Sequence, residues 1–283
     1  MTWTVISASA IGTSHQRIGL PCQDAGDFCL VDGDHTVVGA IADGAGSAMH
    51  SEIGARAAVE TMLYLLDEDK ASLLNACAGL SGAKTIEPLC RLLIRAVQQH
   101  LTEVAEKKDC SLDDLACTLI GFIASDTGFV ALQIGDGFLV TRAAQAGSEY
   151  TLVFEPDKGE LANQTEFVTS ASAIASLQIV CSSEPVAFIC ASTDGLERIA
   201  IQFKGWKPYP SFFKPLEGFI SSCTLENKTQ LQAELCEFLG SQRVTSKTND
   251  DKTLLLCVNT PSPDMPSNDE PERFGDKEEI QSE

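Results

Sequence analysis

Apolar positions along this chain repeat with two different periods. Short runs rich in Val, Ile, Phe and Thr recur from one end to the other, at residues 2–8, 28–31, 36–42, 115–124, 129–134, 138–143, 150–154, 186–191 and 254–258. Their β-branched and aromatic content, set between clusters of Gly, Asp, Ser and Pro, predicts strands. Between the third and fourth runs the spacing changes to three and four. Ala55, Val59, Met62, Leu63 and Leu66 then fall on one face of a helix, while Glu52, Arg56 and Glu60 alternate in sign along another. In a second helix Pro88 suits the first turn, and Leu92, Leu93, Ala96, Val97, Leu101 and Val104 form the buried stripe. A third helix is expected over 229–239, stopped by Gly240. Strands that follow strands, with long helices grouped together, predict an α+β layered domain, not a doubly wound parallel sheet.

No internal repeat breaks this pattern, so residues 1–258 read as one domain. Two polar stretches stand outside it. Residues 155–175 have weak periodicity between strands and read as a flap. Residues 259–283 carry four prolines and eight acidic against two basic side chains, with few apolar ones, and are expected to be a disordered acidic tail.

The tail does not explain the charge. The 283 residues carry a net charge of −20, and a tail of −6 leaves −14 on the body. So acidic a surface repels a polyanion, which argues against a nucleic-acid partner. No stretch is apolar enough to span a bilayer, and the first residues lack the cationic and apolar regions of a signal peptide, so a cytoplasmic protein with no membrane partner is expected. Eleven cysteines include no CxxC pair, and Cys29, Cys117, Cys190 and Cys257 lie inside apolar runs, so reduced core thiols are expected. His15, His35, His50 and His100 show no zinc-site spacing.

Candidate chemistry lies at the ends of the strand-like runs. Asp43-Gly44, Asp136-Gly137 and Asp194-Gly195 each follow an apolar run, where a rigid sheet can aim a carboxylate into a cleft. Asp-Gly is also a favoured hairpin turn. Asp32-Gly33 reads as that turn, and Asp136-Gly137, which bridges two strand-like runs, fits either reading. Asp24 and the pair Asp250-Asp251 extend the set. Two carboxylates 4 Å apart repel by about 4 kcal/mol at an effective dielectric of 20, so a convergent cluster needs cations. All-oxygen ligands favour Mg²⁺ or Mn²⁺. A pair of such ions activates water and neutralises phosphoryl oxygens, and lets an acidic protein bind an anionic phosphate. Phosphate-loop, nucleophile-elbow and dinucleotide fingerprints do not occur in the sequence.

The order of these motifs resembles the metal-dependent serine/threonine protein phosphatases of type 2C, in particular a bacterial branch. Residues 38–47, with Asp43-Gly44-Ala45-Gly46, resemble the family's strand followed by Asp-Gly-x-Gly. Cys117-Thr118-Leu119 with Gly135-Asp136-Gly137 resembles its threonine-bearing strand and Gly-Asp-Ser hairpin. Ser192-Thr193-Asp194-Gly195-Leu196 resembles Ser-Asp-Gly-Leu, and Asp250-Asp251-Lys252-Thr253 resembles the closing Asp-Asn-x-Thr. The resemblance implies a four-layer α-β-β-α sandwich, with two central antiparallel β-sheets flanked by helices and the metals in a cleft at one end. It implies Asp43 as the carboxylate bridging two Mg²⁺ or Mn²⁺ ions, the carbonyl of Gly44 as a further ligand, Asp194 and Asp250 as ligands, and Asp24 acting through bound water. Asp136 would help to hold a third, weaker ion. The implied substrates are phosphoserine and phosphothreonine in proteins, and the implied partners a cognate serine/threonine kinase and its substrates.

Four positions depart from the family pattern. Gln23 stands where a glutamate is usual, and Gly19 where an arginine binds phosphate, which leaves Arg17 or His15 for that task. Ala45 replaces a histidine that donates a proton, leaving a bound water or His50. Arg198, beside Glu197, stands where a carboxylate often serves the third ion. The retained Asp43, Asp194 and Asp250 favour an active phosphatase, while the departures favour the alternative, a non-catalytic phosphoprotein-binding or regulatory homologue.

Overall fold

Alternation along the strands explains how the layers form. The computed structural model describes residues 2–77, 82–154 and 165–260. One antiparallel sheet has the order β1 (Thr2–Ala10), β12 (Lys252–Thr260), β9 (Val186–Ser192), β6 (Phe138–Ala143) and β7 (Tyr150–Leu152). The second has the order β2 (Ala25–Val31), β3 (Thr36–Ala42), β4 (Leu119–Ser125), β5 (Gly128–Ile134) and β8 (Gln178–Ser182). A small hairpin, β10 (Ile201–Gln202) and β11 (Lys207–Pro208), lies apart from both.

In β3, Val37 and Ile41 enter the layer between the sheets, while Val38, Ala40 and Ala42 face the helices. In β12, Leu255 and Cys257 enter the same middle layer, while Leu254, Leu256 and Val258 face the other helices. Successive side chains point to opposite faces, so a strand buried on both faces is apolar at nearly every position. Helices α2 (Ser51–Glu68), α3 (Lys70–Cys77) and α4 (Gly82–Lys108) cover the second sheet. Helices α7 (Pro210–Ser221) and α8 (Lys228–Gly240) cover the first. The result is the four-layer α-β-β-α sandwich. Shorter helices α1 (Thr13–Ile18), α5 (Ala173–Ser176), α6 (Glu197–Ala200) and α9 (Gln242–Thr245) complete the described elements. None of the described helices is long and apolar enough to cross a membrane.

Several local expectations are corrected. Helix α4 starts at Gly82, so Pro88 lies inside it, and Leu92 is 59% exposed. Its buried stripe keeps Leu93, Val97 and Leu101 of that expectation and adds Ile86, Cys90 and Ile94. Residues 112–115 form a 3-10 turn before β4, with Ser111 and Asp114 in a reciprocal capping box, so the strand begins at Leu119. Asp136-Gly137 joins β5 to β6 in the other sheet, so this pair makes a crossing between sheets and not a hairpin. Cys77 at the end of α3 and Cys181 in β8 are bridged, with Cα atoms 5.7 Å apart, so the expectation of reduced thiols throughout fails there. The other nine cysteines are free. The last strand continues through Asn259 and Thr260, which pair with Trp3 and Thr2, so the expected tail cannot begin at 259. Residues 261–283, and 155–164 of the expected flap, lie outside the described residues.

Candidate active site

Strand register delivers the acidic residues to one end of both sheets. Ala10 is opposite Lys252, and Leu254 opposite Ser192, so the β1 exit, the β12 entry and the β9 exit coincide. In the second sheet Ala25 is opposite Ala42, so Asp24 precedes β2 at the edge where Asp43 follows β3. Phe138 is opposite Ser192, which brings the Asp136 crossing to the same end.

Backbone contacts lock these loops together. The Asp43 amide donates to Thr118 Oγ1 at 2.9 Å, and the Thr118 amide donates to the Asp43 carbonyl at 2.8 Å. The Gly44 amide donates to the Gln23 carbonyl at 3.2 Å, tying the Asp43 turn to the Asp24 loop. Thr193 Oγ1 donates to Asp24 Oδ2 at 2.8 Å and accepts from the Thr253 amide at 3.0 Å. Two glycines are required by close approach. A Cβ on Gly12 would collide with the Asp250 backbone, and one on Gly195 with the Asp251 carbonyl. The motif residues thus sit in a knot of four loops whose backbones leave no room for side chains at the crossings.

The carboxyls of this knot perturb one another. Burial, then the charges of Asp24 and Asp194, pushes Asp43 far above the ordinary carboxylate range, to about 11. Burial also raises Asp24, opposed by the Thr193 hydrogen bond and reinforced by Asp251 and Asp194. Asp194 is raised to about 6 by burial and by the charges of Asp136 and Asp250, while a hydrogen bond from Asp43 lowers it. Glu197 at the start of α6 is pushed up to about 7 by burial, Asp194 and Asp136.

Asp43, Asp24, Asp194 and Asp250 are therefore brought together, with Asp136 close enough to act on Asp194 and Glu197. Asp136 itself is exposed and accepts from Thr165 Oγ1 at 2.6 Å, within the described end of the expected flap. Phe167 of the same segment packs on Ala45, Ala48 and Ala116 beside the Asp43 turn.

The two candidates for phosphate contact separate. Arg17 is exposed at the last turn of α1, while His15 Nδ1 lies 2.9 Å from Asp251 Oδ2. Residues two apart on a helix point to different faces, so both cannot serve one site. His50 is the N-cap residue of α2, and its amide donates to the Asp114 carbonyl at 2.8 Å.

Two further residues were not singled out as site residues by the sequence. Asp251, read there only as the second member of an acidic pair, is 2% exposed and accepts from the Gly12 amide and the Gln23 amide, both at 2.6 Å. Lys252 is completely buried, donates from Nζ to the Asp250 carbonyl at 2.8 Å, and has its pKa lowered by burial against the opposing pull of Asp251 and Asp24. An Asp-Asp-Lys triplet at the mouth of an all-apolar strand was the available signal, since charges drawn into a buried strand need partners.

The donor set fits a hard cation. Asp24 Oδ1 and Asp194 Oδ1 are buried without a hydrogen-bond partner, and carboxylate oxygen is the ligand that a hard cation takes. Among the described residues no three His, Cys, Asp or Glu side chains already surround one point. The carboxyls of Asp24, Asp43 and Asp194 stand near enough to raise one another, while ligation also requires each to be turned toward one point. A cavity of about 550 Å³ between α7, α8 and α9 contains none of these carboxylates.

Comparison with known proteins agrees with this geometry. Residues 11–240 match the family model for protein phosphatase 2C. Over 262 residues the chain is 34% identical to serine/threonine-protein phosphatase 3 of Escherichia coli strain K12, covering 91% of this chain and 99% of that one. The serine/threonine phosphatase Stp1 of Staphylococcus aureus shares the fold, with a TM-score of 0.58 at 11% identity over 92% of this chain and 96% of that one. So does the serine/threonine phosphatase of S. agalactiae, with a TM-score of 0.57 at 14% identity over 90% and 99%. The chain belongs to the protein phosphatase 2C family of serine/threonine phosphatases.

Proposed function

We propose that this chain hydrolyses phosphoserine and phosphothreonine in proteins, with Mg²⁺ or Mn²⁺ held by Asp43, Asp194, Asp250 and the Gly44 carbonyl. Asp24 contributes through water, and Asp136 supports a weaker third ion beside Glu197. The observation that carries the reading is the mutual perturbation of Asp43, Asp24 and Asp194, each raised by burial and by its acidic neighbours. Enzymes place such strained carboxylates where a ligand will relieve them. Bound there, the ions would supply positive charge toward phosphoryl oxygens and lower the pKa of water.

The chain's own residues prepare the site. Thr118 fixes the Asp43 backbone, and Thr193 turns the Asp24 carboxyl by accepting from β12 while donating to Asp24 Oδ2. His15, tethered to Asp251, contacts the phosphoryl group in place of the family's arginine, and exposed Arg17 is left for the protein part of the substrate. A cognate kinase and its cytoplasmic targets would supply phosphorylated partners.

The test is hydrolysis of p-nitrophenyl phosphate and of a phosphothreonine peptide with Mn²⁺. We expect turnover that chelator removes and that Asp43→Ala lacks. Undiminished turnover in Asp43→Ala would overturn the assignment. Phosphopeptide binding without turnover in the wild type would favour the non-catalytic alternative.

A further inference from the structure

We infer that Asp251 is a positioning residue that clamps His15 against the phosphate site, so that this pair replaces the arginine missing at Gly19. The inference rests on the phosphatase reading above. Two loops and helix α1 meet on this one carboxylate. Oδ1 accepts from the Gly12 amide at 2.6 Å, and Oδ2 accepts from the Gln23 amide at 2.6 Å and from His15 Nδ1 at 2.9 Å. Both oxygens already accept from backbone N–H groups, so the carboxylate is the acceptor in its third contact and His15 Nδ1 is the donor. Nε2 is then the ring nitrogen left for the phosphoryl group, to which it donates when the ring is the imidazolium, with N–H at both nitrogens.

The clamp is rigid as well as polar. Asp251 is 2% exposed and His15 side-chain exposure is 13%. Gly12 packs on the backbone of Asp250, and the Ser14 amide and hydroxyl both donate to the Asn249 carbonyl, at 3.0 and 2.6 Å. Helix α1 is thereby held to the loop that carries Asp250, and through Gln23 to Asp24. A ring carrying one donor nitrogen fixed by a buried carboxylate has a single orientation, which is what contact with a phosphoryl oxygen requires. The family motif resembled here has asparagine where this chain has Asp251. A carboxylate makes a charge-assisted bond to imidazole that an amide cannot make. The acid at 251 and the histidine at 15 therefore form one device.

The test compares His15→Ala, Asp251→Asn and the double variant, with p-nitrophenyl phosphate at saturating Mn²⁺ and inorganic phosphate as competing inhibitor. Each single change should lower kcat/KM about tenfold, the size of one charge-assisted bond. The double variant should be no worse than His15→Ala, because Asp251 acts through His15. Phosphate inhibition should weaken to the same degree in all three, with the Mn²⁺ concentration for half activation unchanged. Multiplied losses in the double variant, or recovery of Asp251→Asn on raising Mn²⁺, would overturn the proposal. If Asp251→Asn does not fold, His15→Ala alone decides: unaltered phosphate inhibition contradicts the clamp, and weakened inhibition supports it. Failure of the wild type to turn over substrate would instead refute the phosphatase reading.

Discussion

Two polar clusters in this molecule have opposite charge balance. In the first sheet, Arg142 of β6 bonds to Glu217 of α7, and Tyr150 of β7 donates to the same carboxylate at 2.6 Å. Burial works to raise Glu217, but its hydrogen bonds with Arg142 and Tyr150 outweigh that and hold the carboxyl below its ordinary value. At the loop end, Asp24, Asp43 and Asp194 are all held above theirs, with Lys252 as a buried cation that cannot offset so many acids. One cluster is completed by the protein and serves the fold. The other is left acidic by the protein, as a site for an outside cation would be.

The strongest way to break this comparison is to neutralise each cluster in turn. Asp43→Asn or Asp194→Asn should lower turnover by more than about a hundredfold, since even outer partners of a metal commonly cost ten- to a hundredfold. The same variants should melt, without metal, no lower than wild type, because each replaces a carboxyl whose ionised form burial and acidic neighbours already disfavour with a neutral amide of the same shape. Glu217→Gln should do the reverse. It leaves Arg142 short of its partner and should cost about 2 kcal/mol of stability, read by thermal melting, with kcat unchanged.

Acidity sharpens the contrast through sign. Asp24 is raised to about 8 and Asp194 to about 6, so between these values and the unfolded carboxylate range the folded, metal-free chain binds more protons than the unfolded one. Its stability should therefore rise as pH falls from about 8 toward 5. Glu217 is lowered, so its contribution is present above the unfolded value and is lost as pH falls through the folded one. The difference in melting temperature between wild type and Glu217→Gln should then shrink below about pH 4. The smallest effect is expected at Arg17, where alanine should change kcat/KM toward p-nitrophenyl phosphate by less than about twofold, in contrast to His15→Ala.

How much of this was legible in the sequence depended on how local the signal was. Strand β3 is a nearly unbroken apolar run and β6 opens on one, and the limits of both are those read from the residues. Helix α7 was missed because Pro210, Pro215 and Gly218 interrupt its apolar spacing, although Phe213, Leu216 and Ile220 bury one face. Strand β8, five half-buried residues at a sheet edge, had no alternation to reveal it. The Asp-Gly motifs marked the site because their strands aim them. Asp251 took its importance from partners more than two hundred residues away, Gly12, His15 and Gln23, which the local Asp-Asp-Lys triplet cannot name. The bridge between Cys77 and Cys181, 104 residues apart, was hidden for the same reason.

The convergence of Asp24, Asp43, Asp194 and Asp250 on hard cations is tested most directly by calorimetric titration of Mn²⁺ into the wild type and Asp43→Asn. Saturable binding of two ions in the wild type, lost or reduced to weak binding in the variant, is the expected result. Equal binding by both proteins, or none by either, would contradict it.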